Sequence, residues 1–240
     1  MTFRIHHRAV TRSTNLDAHG GAPGDVFTAD EQTAGRGRLD HRWLSPPGAN
    51  LMLSAVLDVT DLPPEQVATL PLAVGLAVHA AVARFLAPGR EVRLKWPNDV
   101  LVDGRKAAGI LCERDGDRVV AGVGVNVNQT TFDPEIADRA TSLACEGAVD
   151  VSVSSVRDAL LAELAAVYAV WREGGFAALL PRYAAVDFLK GRTVSVRQTD
   201  EDEAPLTGVC TGVQADGTLC VAGHAVYAGE AHVRGWTDKG

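Results

Sequence analysis

The sequence predicts an α+β protein: a central antiparallel meander, helical segments before and after it in the chain, and a closing run of short strands. Three observations carry this. From Val92 to Asn128 apolar residues recur with a period of two, and Asp103-Gly104 and Asp115-Gly116 supply tight turns. The stretches after Pro63-Pro64 and after Ser154-Ser155 show helical spacing instead. Beyond Lys190 short β-rich segments alternate with Asp/Glu/Pro and Asp-Gly turns.

Each element has its own signal. Ser13-Thr14-Asn15 ahead of Leu16 offers the hydroxyl and amide side chains of a helix cap, and such a terminus also suits a polar ligand. Gly20-Gly21 and Pro23-Gly24 end that element. Val26–Ala29 reads as a strand entering a glycine-arginine loop, and Asn50–Val59 as a second strand. Pro63-Pro64 opens a long helix with Val67, Leu70, Val74, Val78 and Val82 on its apolar face, stopped by Pro88-Gly89. Val92–Lys95 is a strand, Trp96-Pro97-Asn98-Asp99 a corner, and Val100–Val102 pairs through the Asp103-Gly104 turn with Lys106–Glu113. Val119–Asn128 is the next strand. Its alternation is uneven: Val119, Ala121, Val123, Val125 and Val127 face one way, and Val120, Gly122, Gly124, Asn126 and Asn128 the other. Glycines at alternate strand positions mark close approach by a ligand or by other backbone. Ser154 or Ser155 caps a helix over 156–171, and a shorter helix follows Gly174-Gly175 to about residue 185. The expected late strands are Thr193–Arg197, Leu206–Val213, Thr218–Val221 and His232–Arg234. They divide the chain into a larger domain over 1–188 and a small β-barrel-like domain over 189–240.

Composition narrows the class. The chain has 240 residues, 46% of them hydrophobic, which supports a real core. A net charge of −7 argues against a general nucleic-acid binder. The four cysteines, Cys112, Cys145, Cys210 and Cys220, form no Cys-x-x-Cys pair; Cys210 and Cys220 could in principle pair, but the favoured reading is reduced thiols of a cytoplasmic protein. No signal-peptide pattern opens the chain. The longest apolar run, Leu70–Ala83, falls short of the ~20 residues that span a bilayer and reads as a buried helix.

The chemistry centres on Gly35-Arg36-Gly37-Arg38, which runs on to Trp43. Glycine admits close backbone approach, and arginine brings a permanent charge and a fork of donors suited to carboxylate and phosphate. The loop is neither a Walker loop nor Gly-x-Gly-x-x-Gly, since Asp40 holds the sixth position. Lys95, Asn98, Asp99, Lys106 and Asn126 converge on the meander. Lys106 is either a solvated hairpin lysine or a cation that meets a carboxylate and then a phosphate. Asp99 is either a turn cap or a ligand for Mg²⁺.

Taken together the motifs resemble the biotin protein ligase family. They are Ser13-Thr14-Asn15, Gln32-Thr33-Ala34-Gly35-Arg36-Gly37-Arg38 with Trp43, Ser45-Pro46, Gly48-Ala49-Asn50-Leu51, Lys95-Trp96-Pro97-Asn98-Asp99, Arg105–Leu111 and Gly122-Val123-Gly124-Val125-Asn126. The resemblance implies a mixed sheet with helices on one side, related to class II aminoacyl-tRNA synthetases, plus a C-terminal SH3-like domain. It implies that biotin and ATP form biotinyl-5′-AMP and pyrophosphate, and that a lysine of a biotin carboxyl carrier domain then takes the biotin. Lys106 and Arg38 are the implied catalytic residues. Ser13, Thr14, Asn15, Gln32, Gly35, Arg36, Gly37, Arg38, Lys106 and Gly109 are the implied biotin contacts. Arg36, Arg38, Trp43, Asn98, Lys106, Asn126 and Arg234 are the implied ATP contacts, with Glu230 facing the same site and Asp99 as a candidate for Mg²⁺. The carrier domain would dock transiently. No nucleic-acid or membrane partner is expected, and the protein would be a monomer or a homodimer. A Ser-Thr-Asn motif as early as residue 13 leaves no room for an N-terminal DNA-binding domain, so a monofunctional ligase is expected. The rivals are a lipoate or octanoyl ligase or transferase of the same fold, and a non-catalytic biotin sensor. In one place the chain departs from its relatives: Leu39-Asp40-His41 follows Gly-Arg-Gly-Arg where many have further basic residues. Less positive charge there predicts faster leakage of the adenylate.

Overall fold

The computed structural model describes residues 1–38, 41–197 and 204–233. The strands of its main sheet are β1 (Arg4–Thr11), β2 (Asp25–Gln32), β3 (Leu51–Asp58), β4 (Val92–Lys95), β5 (Asp99–Val102), β6 (Arg105–Asp115) and β7 (Arg118–Val125). These seven strands lie in the order β1-β2-β3-β7-β6-β5-β4. β1 and β2 are parallel and the remaining neighbours antiparallel, so the sheet is mixed. A parallel pair needs a crossover, and the short helix α1 (Thr14–Ala18) provides it.

The meander follows the turn chemistry. Asp103 and Gly104 both have positive φ, 47° and 83°, the geometry that a two-residue hairpin turn needs. The uneven alternation of β7 is visible as two environments. Val119, Ala121, Val123 and Val125 join the main core, while Val120 packs with Ala18 and Val56 beneath α1. The long helices α3 (Leu70–Ala83) and α4 (Val153–Gly174) cover the main-core face. Pro64–Ala83 is apolar enough to cross a membrane by length and composition, but 67% of its apolar window is buried inside the fold, the position of a core helix.

Several elements differ from expectation. The helix opened by Pro63-Pro64 is two helices, α2 (Pro64–Ala68) and α3, broken at Thr69. Pro71 has no N–H to continue the ladder, and the Thr69 hydroxyl donates to the Gln66 carbonyl at 2.6 Å while accepting from Trp171 Nε1 at 2.9 Å. The cap of α4 is Ser152, not Ser154 or Ser155; its Oγ accepts from the Ser155 N–H at 3.0 Å. Gly175 ends α4 at φ 64°, and α5 (Leu180–Val186) follows a single 3₁₀ turn. Strand β1 was not expected at all.

The second sheet contains β8 (Thr193–Arg197), β9 (Leu206–Val213), β10 (Leu219–Val221), β11 (His224–Val226) and β12 (Glu230–Val233). Its five strands run β11-β10-β9-β8-β12. Here β11 is additional, and β12 begins two residues earlier than the expected His232. Val194, Val196, Cys210 and Leu219 belong to the same core as the main sheet. Trp96 Nε1 donates to the Gly217 carbonyl at 3.0 Å, and the Phe188 N–H to the Leu94 carbonyl at 2.8 Å, so the two sheets are stitched as well as packed.

Candidate active site

A cleft with about 790 Å³ of free space, part of it open to solvent, lies over the glycine-bearing face of β6 and β7. It is bounded by α1, the glycine-arginine segment, the Trp96–Asp99 corner and Glu230 of the second sheet.

At one end the lining is neutral and densely bonded. Ser13, Thr14 and Asn15 are 2%, 4% and 5% exposed. Gln32 Oε1 accepts from the Thr14 N–H at 2.7 Å and from its hydroxyl at 3.1 Å. Ser54, wholly buried on β3, donates to Asn15 Oδ1 at 2.6 Å, and its hydroxyl lies 2.8 Å from Thr14 Oγ1. Asn15 Nδ2 donates to Glu113 Oε2 at 2.6 Å and lies 3.3 Å from the Leu111 carbonyl. Uncharged hydroxyls and amides in this setting suit a neutral polar group, because they satisfy its hydrogen bonds without stranding a charge.

The glycines explain how these side chains fit. A Cβ on Gly122 would stand 2.0 Å from Asn15 Oδ1, and one on Gly124 would stand 2.5 Å from the Trp43 ring. A Cβ on Gly109 would press on Trp43 at 3.2 Å and on Lys106 at 3.3 Å. The bare strip of sheet is thus a floor on which Asn15 and the Trp43 indole rest.

The other end is charged. The glycine-arginine segment is itself a small hairpin: Arg36 bridges Arg42, the Gly37 N–H donates to the His41 carbonyl at 2.7 Å, and the Trp43 N–H donates to the Gly35 carbonyl at 3.1 Å. Gly35 is needed for the approach, since a Cβ there would lie 2.4 Å from the Trp43 carbonyl oxygen. Arg36 Nη1 pairs with Glu113 at 2.9 Å. Burial pushes the pKa of the Arg38 guanidinium down, while Glu230 and Asp99 pull it back up; it stays a cation. Lys106 Nζ is 2.6 Å from Asp99 Oδ1 and 6.0 Å from the centre of the Trp43 ring. His41 lies 3.6 Å from Glu230, which joins the hairpin to the second sheet.

Of the residues singled out from sequence, Ser13, Thr14, Asn15, Gln32, Arg36, Gly37, Arg38, Trp43, Asn98, Asp99, Lys106 and Gly109 line this cleft together. Gly35 supports the hairpin from behind. Asn98 faces the cleft but also donates to the Ile110 carbonyl at 3.0 Å, fixing the corner to β6. Asn126 is not on the wall: it is 6% exposed and donates to the Thr141 carbonyl at 2.9 Å. Leu39, Asp40 and Arg234 lie outside the described residues. Ser54 and Glu113 were missed. Both carried a signal, a lone hydroxyl inside the apolar run Leu51–Leu57 and an acid two positions beyond Leu111 on the Gly109 face.

Among the described residues, Asp99 is the acid that pairs with Lys106 on the cleft floor, at 2.6 Å. Among the described residues no group of three or more His, Cys, Asp or Glu could hold a metal ion.

The chain is 38% identical over 224 residues to a biotin–[acetyl-CoA-carboxylase] ligase of Mycobacterium tuberculosis, covering 89% of this chain and 81% of that protein. It is 32% identical over 201 residues to the bifunctional ligase/repressor BirA of Escherichia coli, covering 82% of this chain and 61% of that one. Its fold matches the biotin protein ligase of Aquifex aeolicus solved in complex with biotin and ATP, with a TM-score of 0.82 and 28% identity over 96% of this chain and 98% of that one. Residues 9–129 match the Biotin/lipoate A/B protein ligase family, and with these relatives beside that match the chain belongs to it.

Proposed function

We propose that this protein activates biotin with ATP and transfers it to a lysine of a biotin carboxyl carrier domain. The observation that carries this reading is the split character of the cleft: a buried neutral end built by Thr14, Gln32 and Ser54, and a cationic end built by Lys106, Arg38 and Arg36. Biotin has the same split, a neutral ureido ring at one end and a carboxylate at the other. The homologous Aquifex ligase, with biotin and ATP bound, supports it.

In the first step a biotin carboxylate oxygen bonds to the α-phosphorus of ATP, and the bond to pyrophosphate breaks. Negative charge builds on the α-phosphoryl oxygens. Lys106 Nζ, held by Asp99, and the Arg38 guanidinium lie where they can stabilise it. Arg36 exchanges Glu113 for a phosphate oxygen as the hairpin closes, and exclusion of water protects the mixed anhydride. In the second step the carrier lysine amine attacks the acyl carbon, AMP leaves with the bonding pair, and the amine loses a proton. Trp43 offers its indole to the adenine, while Glu230 of a C-terminal domain over 189–240 closes the nucleotide side. Mg²⁺ would arrive on the ATP phosphates, and no step here is assigned to it. The carrier docks transiently. A cytoplasmic location, with ATP at hand and free thiols at Cys112, Cys145, Cys210 and Cys220, goes with this reading.

The test is transfer of labelled biotin to a carrier domain, with lipoate as the competing substrate. Biotin transfer alone is expected. Lipoate transfer in its place would move the assignment to the lipoate branch of the family.

A further inference from the structure

Lys106 occupies an awkward position. It stands two residues after Gly104, just beyond the turn that joins β5 to β6. The β5–β6 register also shifts there: Val100 pairs with Ala108, but Leu101 pairs with Lys106. Such a bulge re-aims a side chain and leaves the ladder locally weak. A cation that must meet a phosphate within a fraction of an ångström needs firmer support.

That support comes from the segment 139–146. The Lys106 N–H donates to the Arg139 carbonyl at 2.7 Å, and the Lys106 carbonyl accepts from the Thr141 N–H at 2.9 Å. One carboxylate holds both sides of this junction. Glu146, whose side chain is 0% exposed, receives Arg105 Nη2 on Oε1 at 2.5 Å. The same oxygen accepts from the Thr141 hydroxyl. Arg90 Nη1 pairs with the other oxygen, Oε2, at 2.8 Å. Glu146 therefore grips the residue before Lys106 and the residue that bonds its carbonyl.

Burial of an ion pair is weak evidence of net stabilisation, because desolvation offsets the attraction. Fixing one geometry is the better account of such an acid beside a working residue. We infer that Glu146 is a positioning residue for Lys106, acting through Arg105 and Thr141 from outside the cleft. The inference rests on the proposed activity, in which Lys106 meets the biotin carboxylate and the phosphate.

The experiment is steady-state biotin-dependent ATP–pyrophosphate exchange with thermal unfolding of the same samples. Glu146→Gln keeps the size and removes the charge. Its kcat should fall about tenfold or more, with the biotin KM held within about twofold. Thr141→Val removes one hydroxyl donor and should lower kcat in the same sense, and Thr141→Ser should restore it. Arg90→Ala removes the partner of the other oxygen and of Asp103 Oδ2, 2.7 Å from Arg90 Nη1, and should lower the Tm while keeping kcat within about twofold. If Glu146→Gln does not fold, the Thr141 pair decides. Wild-type kcat in Thr141→Val, or in Glu146→Gln, overturns the inference. So does an Arg90→Ala enzyme that loses as much kcat as Glu146→Gln at an equal drop in Tm. A wild-type protein with no biotin-dependent exchange would instead sink the proposed activity.

Discussion

Replacing Gly122 with alanine puts a methyl carbon 2.0 Å from Asn15 Oδ1, 2.9 Å from its Cγ and 3.0 Å from its Nδ2. No real Cβ tolerates such contacts, so the amide must leave. Asn15 is not a loose side chain. It accepts from Ser54 at 2.6 Å and donates to the Glu113 carboxylate at 2.6 Å. A neutral hydrogen bond contributes about 1 kcal/mol net and one to a charged group about 1.5–3. Losing both in a buried setting destabilises the protein by about 3 kcal/mol, and the Thr14 and Ser54 groups beside them lose their alignment. Urea denaturation reads the stability, and biotin titration calorimetry reads the neutral end of the cleft. Both should suffer, with biotin binding weakened by about tenfold or more. A double-mutant cycle with Asn15→Ala isolates the clash: the pair should cost clearly less than the two single changes added. Gly116→Ala is the control. Gly116 has φ 62° but nothing within 4 Å of the added carbon, so it should pay backbone strain of about 1 kcal/mol and leave biotin binding alone. A Gly122→Ala protein with wild-type stability and biotin affinity would refute the picture of a glycine floor beneath Asn15.

Two other outcomes are expected. Gly124→Val should push the Trp43 indole off the sheet, since even a Cβ would stand 2.5 Å from the ring; the change should show as a shift in tryptophan fluorescence and a raised KM for ATP. Asp25 pins β1 to β2, and the His6 ring, followed by Arg4 and the Ala22 N–H, holds its carboxyl down at about 2 against the opposing effect of burial. The folded state then binds fewer protons than the unfolded one, so this contribution is complete above about pH 4 and is lost as the pH falls through about 2. With Arg4 and His6 half exposed, it amounts to about 1 kcal/mol. Asp25→Asn should flatten the acid limb of the stability curve and speed hydrogen exchange in β1; an unchanged acid limb would count against the assignment.

The meander was legible in sequence because its turns are local: Asp103-Gly104 states its own geometry, and the period of two on β7 announces a bare face. The cleft residues were legible for a related reason, since glycines and arginines in short motifs reveal close approach and anion binding without any knowledge of the fold. Strand β1 was not, because it is exposed along nearly its whole length and is held by Asp25, 21 residues from Arg4 and 19 from His6. No apolar stripe marks it. Ser54 and Glu113 became meaningful only when β3 and β6 brought them to Asn15, 39 and 98 residues away in sequence. Glu146 is the extreme case, an acid in an irregular segment whose partners arrive from three separate places in the chain. Asn126 shows the reverse: its motif is plain, yet the fold turns its amide toward Thr141 and away from the cleft wall.

The most direct test of the central claim is ATP–pyrophosphate exchange measured with and without biotin, in the wild-type protein and in Lys106→Ala. The wild-type protein should exchange only when biotin is present, and Lys106→Ala should lose about a hundredfold or more of that rate while remaining folded. Exchange at the wild-type rate in Lys106→Ala, or exchange indifferent to biotin, would contradict the account.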